Sequence, residues 1–242
     1  EVNREAYSVY QKKTEEAIYE AITAIRDAEV RGDLLYYKDD KLTSHKIRRI
    51  IDYKLMDLEC IAEHTIVAVG IEGCDPHNEG SGPLRPNQPI IIDLFPRSTK
   101  TRYFADMTRT VVKGKAPDRL KKMYDAVISS QEKAFGLIRD GIDGRIVHNN
   151  VSDCLKRLGF ETGIINGRMQ GFFHGTGHGI GLDVHEPPRV SKVNYTLKKG
   201  NIVTVEPGLY YADIGGVRIE DMVLVTEEGC INLTEYPKVL EV

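Results

Sequence analysis

The sequence has 242 residues, of which 36 are acidic and 33 are basic, giving a formal net charge of −3. Without a basic excess to neutralise phosphates, a nucleic-acid-binding protein is disfavoured. No apolar run approaches the roughly 20 residues of a membrane span, and the charged start, EVNREAYSVYQKK, does not fit a signal peptide. Four cysteines without a CxxC pair are typical of free thiols in a reducing compartment, so we expect a cytoplasmic protein.

Periodic apolar residues predict helices in the first part of the chain. Residues 4–31 repeat apolar side chains at helical spacing, without glycine or proline, and Gly32 would end that helix. Ser44 is a predicted N-cap for a second helix with an isoleucine and leucine stripe. The β-branched stretch 65–72 predicts a strand, and the following residues, GCDPHNEGSGPLRPNQP, predict a loop.

Two hairpins, separated by helices, are predicted in the rest of the chain. IIIDLF (90–95) and YFADMTRTVV (103–112) read as antiparallel strands with residues 98–102 at the turn. Pro117 favours the start of a helix that continues to Gly141, and a shorter helix follows near 146–158. NIVTVEPGLYY (201–211) and GVRIEDMVLVT (216–226) predict the second strand pair. Without any linker-like segment, we expect one domain of helices packed on antiparallel sheet.

The two hairpins carry acids at similar places. Asp93 and Asp106 are 13 residues apart in the first hairpin, and Glu206 and Glu220 are 14 apart in the second. About two helices precede each hairpin. We interpret this repeated spacing as evidence of two related halves that face each other. Each half would contribute two carboxylates. Coincidence is the alternative, because hairpins with acids near their ends are common.

Apolar neighbours predict that these acids are buried. Asp93 follows three isoleucines, and Glu220 lies between Ile219 and the run MVLV. A buried carboxylate without a cation is strongly unfavourable, so each acid needs an arginine or a metal ion. Salt bridges to Arg109 and Arg218 are the structural alternative. Two arginines cannot neutralise four buried carboxylates, whereas two divalent cations can.

The segment HGTGHGIGLDVH (174–185) contains three histidines and a glycine at every second position from 175 to 181. Each glycine would cost roughly 0.8–1 kcal/mol in a helix, which excludes a helical HExxH zinc site. In an extended backbone, His174 and His178 would point to the same face. One histidine could then complete an oxygen-rich metal site, while the others surround the substrate and donate or shuttle protons.

Four carboxylates and one histidine favour hard or borderline divalent ions, with Mn²⁺ first and then Co²⁺, Fe²⁺ or Zn²⁺. Bridging carboxylates can hold two such ions roughly 3.5–4 Å apart, which activates a shared water and polarises a carbonyl. The residues alone therefore predict a two-metal hydrolase that acts on an amide or an ester.

The segment HGTGHGIGLDVHE fits the signature of proline dipeptidases and Xaa-Pro aminopeptidases. The order Asp93, DMTRT, GHGIG, VEPGLYY and GGVRIED resembles the wider metallopeptidase family that includes methionine aminopeptidase, over essentially the whole chain. The resemblance implies the pita-bread fold: an α/β (α+β) domain of two pseudo-symmetric halves, with helices packed on a curved antiparallel sheet. Residues 1–242 are then expected to form a single catalytic domain, without the N-terminal domain usual in proline-specific members.

The resemblance also implies roles for individual residues. It implies two divalent metal ions, Mn²⁺ favoured, with Asp106 and Glu220 bridging them within the ligand set Asp93, Asp106, His178, Glu206 and Glu220. Glu206 would also take a proton from the attacking water and pass it to the leaving nitrogen. His185 and His77 are implied in catalysis near the scissile bond. His174, His185 and Arg218 are implied around the substrate.

The forms GGVRIED and VHEPP resemble the proline-specific branch, so the expected reaction is cleavage between an N-terminal residue and proline, as a dipeptidase or an aminopeptidase. Methionine aminopeptidase is the alternative, since it would be a stand-alone domain of this size. A non-catalytic member that binds a peptide or protein is the alternative from another class. The expected partner is a short peptide, with neither nucleic acid nor membrane, and a homodimer is left open. Phe95 replaces a usual glycine, which predicts an altered rim of the site.

Overall fold

The computed structural model describes residues 4–242, and side chains from residue 7 onward. The helices in this part of the chain are α1 (Arg4–Arg26), α2 (Ser44–Asp57), α3 (Asp118–Phe135) and α4 (Gly144–Arg157), with a 3₁₀ turn at Gly70–Cys74. None of them is long and apolar enough to cross a lipid bilayer. The four cysteines are free thiols.

The strands are short and almost all pair with antiparallel neighbours. In chain order they are β1 (Glu29–Arg31), β2 (Leu34–Tyr37), β3 (Asp40–Lys41), β4 (Cys60–Ile61), β5 (Ile66–Val69), β6 (Ile90–Leu94), β7 (Arg97–Ser98), β8 (Met107–Val111), β9 (Gly163–Ile165), β10 (Arg168–Gln170), β11 (Gly177–Gly179), β12 (Glu186–Val190), β13 (Ile202–Val205), β14 (Gly208–Tyr211), β15 (Gly215–Arg218), β16 (Asp221–Val225) and β17 (Cys230–Asn232).

Two antiparallel sheets organise the two halves of the chain. The first has the strand order β5-β6-β8, and the second has the order β12-β11-β13-β16-β17. A separate ribbon pairs β14 with β15. An isolated bridge between Thr108 and Glu220 joins the first sheet to the second half. This bridge joins a predicted metal ligand, Glu220, to Thr108, which lies two residues after the predicted ligand Asp106, so the halves meet at the site.

Each half has its own apolar core. In the first, α1 and α2 bury Ile18, Ile25 and Ile51 against the β5-β6-β8 sheet. In the second, α3 and α4 pack on β13, β15 and β16 through residues such as Val127 and Val151. Full burial of one such side chain contributes about 1.5–3 kcal/mol. Packing on two cores therefore supports the predicted division into two helix-and-sheet halves.

The structure corrects four local predictions. The third helix ends at Phe135, capped by Gly136, rather than continuing to Gly141. The first helix ends at Arg26 rather than Arg31, because Glu29–Arg31 forms β1 and pairs with β2 across a turn in which Gly32 has φ +65°. Thr43, not Ser44, caps α2, since its hydroxyl accepts a hydrogen bond from the amide of Lys46 at 3.2 Å. The second predicted strand pair is divided into two ladders, β13 with β16 and β14 with β15.

Candidate functional site

A break between two strand ladders positions the two glutamates of the second half. The β13–β16 ladder ends where Val205 pairs with Asp221, and the β14–β15 ladder begins where Gly208 pairs with Arg218. Between them lies Pro207, which has no N–H to continue a ladder. The backbone amide of Glu206 instead donates to the carbonyl of Thr176 at 2.7 Å. Glu206 is thereby connected to the histidine segment.

The neighbouring strand makes the same kind of cross-connection. The amide of Glu220 donates to the carbonyl of Thr108 at 3.1 Å, and the hydroxyl of Thr108 donates to Oε2 of Glu220 at 2.7 Å. Glu220 therefore directly precedes β16 in the chain but is held by β8 of the other half. Both glutamate side chains line the same cavity as a result.

That cavity has a volume of about 620 Å³. All nine residues that the sequence analysis singles out lie in its wall: Asp93, Asp106, His178, Glu206, Glu220, His77, His174, His185 and Arg218. Phe95, which replaces the usual glycine, is also part of the wall. The two hairpins and the glycine-histidine segment therefore converge on one space.

The tightest group within the cavity consists of Asp106, His178 and Glu220. Each offers one ligand atom, and these atoms lie within 4.8 Å of one another. Nε2 of His178 is 3.7 Å from Oδ2 of Asp106 and 3.7 Å from Oε1 of Glu206. Nδ1 of His178 lies 3.0 Å from the carbonyl of Gly179. Since a carbonyl only accepts, that nitrogen carries the proton, and the lone pair of Nε2 faces the carboxylates.

Asp93 lies outside this tight group and has an arginine partner. Its Oδ2 accepts a hydrogen bond of 2.6 Å from Arg218, which also donates to the hydroxyl of Tyr210 at 2.9 Å. The second arginine considered as a partner, Arg109, pairs instead with Asp221 at 2.9 Å. Of the four predicted acids, only Asp93 is paired with an arginine in the described part of the chain. The salt-bridge alternative therefore explains Asp93 but not the other three acids.

The three remaining acids crowd one another. Burial, followed by repulsion from Glu220, raises the pKa of Asp106 well above its ordinary value. Burial likewise raises the pKa of Glu206, with Glu220 the next cause, and it raises the pKa of Glu220 to about 7. Burial lowers the pKa of His178 to about 3, so its imidazole is neutral. The group therefore lacks positive charge.

Cations fit this arrangement. Oδ1 of Asp93 and Oδ1 of Asp106 are buried and have no hydrogen-bond partner among the described residues. Buried oxygen atoms without partners are unfavourable, and a divalent ion beside them would supply both the missing contact and the missing charge. The donor set of carboxylate oxygens and one neutral imidazole suits a divalent metal.

The remaining predicted residues surround this group. The ring of His185 is 4.3 Å from that of His178, centroid to centroid. Nε2 of His174 lies 2.8 Å from the hydroxyl of Tyr210. Burial lowers the pKa of both His174 and His185. Both imidazoles are therefore neutral near pH 7. Nδ1 of His174 donates to the carbonyl of Gly175 at 2.7 Å, so of these two only His185 has an N–H available to donate to a substrate oxygen.

The sequence alone does not reveal Arg189, Thr108 or Tyr210 as parts of the site. Arg189 lines the cavity and forms no ion pair within 4 Å among the described residues. It pairs in register with His178 across β11 and β12, so only the strand register reveals it. Thr108 and Tyr210 stand within the quoted motifs DMTRT and VEPGLYY. Their roles depend on contacts with residues more than 30 positions away, which the motifs do not disclose.

Comparisons with known proteins agree with this architecture. The profile of metallopeptidase family M24 matches residues 5–227. A Xaa-Pro dipeptidase of Pyrococcus furiosus is 30% identical over 96% of this chain and 65% of its own length, and one of Pyrococcus horikoshii is 34% identical over 77% and 51%. This chain therefore spans between half and two-thirds of these relatives.

Solved structures show the same similarity. An X-Pro aminopeptidase from Thermotoga maritima superposes with a TM-score of 0.83 at 29% identity, covering 98% of this chain and 62% of its own. The prolidase from Pyrococcus furiosus also has a TM-score of 0.83, at 27% identity, covering 97% and 64%. The predicted pita-bread fold is confirmed.

Proposed function

We propose, from the premise that this chain belongs to metallopeptidase family M24, that it hydrolyses the bond between an N-terminal residue and proline in short peptides. The names of the relatives, Xaa-Pro dipeptidase and X-Pro aminopeptidase, support this substrate class. The observation that carries the proposal is the crowding of Asp106, Glu206 and Glu220 around the neutral imidazole of His178.

We further propose that this group, together with Asp93, holds two divalent metal ions, Mn²⁺ first among them. The supporting observations are the unpartnered oxygens of Asp93 and Asp106 and the unprotonated Nε2 of His178. Asp106, Glu220 and His178 would hold the ions at the centre of the group, with Asp93 and Glu206 beside them. When bound, such ions polarise the scissile carbonyl and bring the pKa of water towards 7.

The side chains around this centre carry the proton transfers. Glu206 keeps about 20% of its side-chain surface exposed, so it can meet a water molecule that enters the cavity. We assign it as the base that takes a proton from the attacking water and delivers it to the leaving proline nitrogen. One water is consumed, the C–N bond breaks, and an amino acid or peptide with a free amine leaves.

Three histidines are assigned to the substrate. His185, beside His178, is assigned to donate a hydrogen bond to the carbonyl oxygen as negative charge develops on it. His77 is assigned to the region near the scissile bond, and His174 to the proline side, where Tyr210 holds its ring. Arg218 fixes Asp93 rather than contacting the reacting bond.

Three peptides separate this proposal from its alternatives. With Mn²⁺ present, we expect kcat/KM for Ala-Pro or Ala-Pro-Ala to exceed that for Met-Ala-Ser by at least about a hundredfold, because the proposed specificity is for proline, rather than alanine, directly after the scissile bond. Release of free amino acid is measured by chromatography. Faster cleavage of Met-Ala-Ser would assign a methionine aminopeptidase. Metal binding without any cleavage would favour a peptide-binding member.

Arg189 is the cation available to a substrate carboxylate. A dipeptide places its free carboxylate one residue from the scissile bond, within the same cavity. We expect Arg189→Met to raise KM for Ala-Pro by about tenfold or more, since a charged hydrogen bond is lost, and to leave Ala-Pro-amide nearly unchanged. Arg189→Lys should retain part of the affinity. An equal effect on the acid and the amide would show that Arg189 does not bind the carboxylate.

A further inference from the structure

Each half of the fold contains one buried glutamine on its first helix. Gln131 of α3 and Gln11 of α1 are both fully buried, at 0% exposure. Each donates through Nε2 to the backbone beside a predicted metal ligand. Neither contacts the cavity, so neither belongs to the set of side chains proposed to bind metal or substrate.

Gln131 links the two strands at the break that positions the glutamates. Its Nε2 donates to the carbonyl of Val205 at 2.8 Å and to the carbonyl of Ile219 at 3.3 Å. Val205 directly precedes Glu206, and Ile219 directly precedes Glu220. One amide group therefore ties together the backbone on the N-terminal side of both glutamates, where the regular ladder is interrupted.

The other side of each glutamate peptide is also held. The amides of Glu206 and Glu220 donate to Thr176 and Thr108, as described above. Together with Gln131, these bonds fix the peptide group before each glutamate at both its carbonyl and its N–H. The side chains are thus directed into the cavity by the backbone rather than by contacts of their own.

Gln11 makes the corresponding contact in the first half. Its Nε2 donates to the carbonyl of Asp106 at 3.0 Å and to the hydroxyl oxygen of Thr234 at 2.9 Å. The same hydroxyl oxygen accepts from the amide of Met222 at 3.0 Å, and the amide of Asp106 donates to the sulfur of Met222 at 3.1 Å. Asp106 is thereby tied to β16, two residues beyond Glu220.

Both glutamines keep an unsatisfied atom. Oε1 of Gln11 and Oε1 of Gln131 have no hydrogen-bond partner among the described residues. A buried amide oxygen without a partner destabilises a fold, and an apolar side chain of the same shape would avoid that penalty. We therefore attribute the presence of glutamine at these two positions to its N–H donors.

We propose that Gln131 and Gln11 are positioning residues that hold the backbone of Asp106, Glu206 and Glu220 in place before metal binds. Three carboxylates in one buried group repel each other when they ionise to bind metal, and an unsupported backbone would relax by separating them. If the peptide groups are already fixed, metal binding does not have to include the free-energy cost of bringing the ligands together. This inference rests on the proposed metal site and adds the residues that preorganise it.

The test compares Gln131→Met with Gln170→Met. Gln170 is also buried; it donates to the backbone carbonyl of Ile165 within the β9–β10 hairpin and accepts from the amide of Ala212. Its side chain bonds no backbone group of a predicted metal ligand or of a residue next to one. Chelator-treated proteins are titrated with Mn²⁺ by calorimetry. We expect Gln131→Met to raise the Mn²⁺ Kd by about 10–100-fold, with kcat largely recovered at saturating Mn²⁺, and Gln170→Met to stay within about twofold. Gln11→Met, which affects one acid, should give a smaller increase.

The outcomes are distinct. A folded Gln131→Met protein with the parent Kd overturns the inference, whatever its melting temperature. If Gln131→Met does not fold, Gln11→Met decides by the same criterion. Failure of both to fold would assign the glutamines to the fold itself and also overturn the inference. If the parent protein binds no Mn²⁺, the proposed function fails first, which this titration reveals before any variant is measured.

Discussion

Replacing Glu206 with glutamine is expected to lower kcat by about 10²–10⁴-fold, the range that a positioned general base contributes. The amide has nearly the same shape as the carboxylate but cannot take a proton from water. It also removes one of the proposed metal ligands, so the assay needs saturating Mn²⁺ to separate lost affinity from lost turnover. The measurement is release of proline from Ala-Pro under those conditions.

The same substitution should stabilise the metal-free protein. Burial and Glu220 raise the pKa of Glu206, which means that its charged form is disfavoured in the folded state. An uncharged glutamine removes that unfavourable charge, so the melting temperature at pH 8 should rise. When a substitution makes a protein more stable but lowers its turnover, the original residue serves activity at a cost in stability.

The matched control is Glu227→Gln, because Glu227 is exposed and pairs with Lys199 on the surface. Neither its kcat nor its melting temperature should change appreciably, since surface pairs contribute little. Circular dichroism follows melting, as the sequence contains no tryptophan. Unchanged turnover in Glu206→Gln would remove this residue as the base. A less stable variant would mean that Glu206 supports the fold.

The sequence predicts the arrangement of the halves because the signals are local and repeated. An acid beside a run of isoleucine or valine indicates a buried strand whose carboxylate needs a nearby cation. That pattern occurs in both hairpins. The end of the first helix is not predictable in this way. Helix propensity continues through Glu29–Arg31, but pairing with Leu34–Tyr37 prevails, and that choice depends on packing in the folded protein.

The side chains that line the cavity are predictable for a related reason. Asp93 and Asp106 carry charges that are costly to bury, so their positions beside apolar strand residues are informative, and His178 is distinguished by its glycine-rich segment. Gln131 and Gln11 carry no such signal, because a glutamine on a helix is ordinary and its partner atoms are backbone carbonyls 74 to 95 residues away. Only the folded chain connects them to the site.

The crowding of carboxylates also makes stability depend on pH. A glutamate has a pKa near 4.5 when unfolded, whereas Glu220 has a pKa of about 7 in the fold. Because the folded value is the higher one, its contribution to stability is complete below about pH 4.5 and is lost as pH rises to about 7. A difference of this size corresponds to about 3 kcal/mol. Asp106 and Glu206 act in the same direction.

Removing metal is therefore expected to destabilise the protein more at pH 8 than at pH 5.5. With chelator, the melting temperature should fall by roughly 4–8 °C between these values from Glu220 alone, because about 2 kcal/mol of its effect lies between pH 5.5 and pH 8. Mn²⁺ should reverse that fall, because a cation favours the charged carboxylates. Its binding should also release protons, so the calorimetric heat will differ between buffers with different ionisation enthalpies.

Glu220→Gln is the variant that isolates this effect. An amide does not titrate, so the chelator-treated variant should lose much less stability between pH 5.5 and pH 8 than the parent. Glu227→Gln, which has an exposed side chain, should keep the full pH dependence. Equal stabilisation by Mn²⁺ at both pH values, without proton release, would mean that the ions bind away from these acids. The two-metal proposal would then fail even if the protein cleaved peptides.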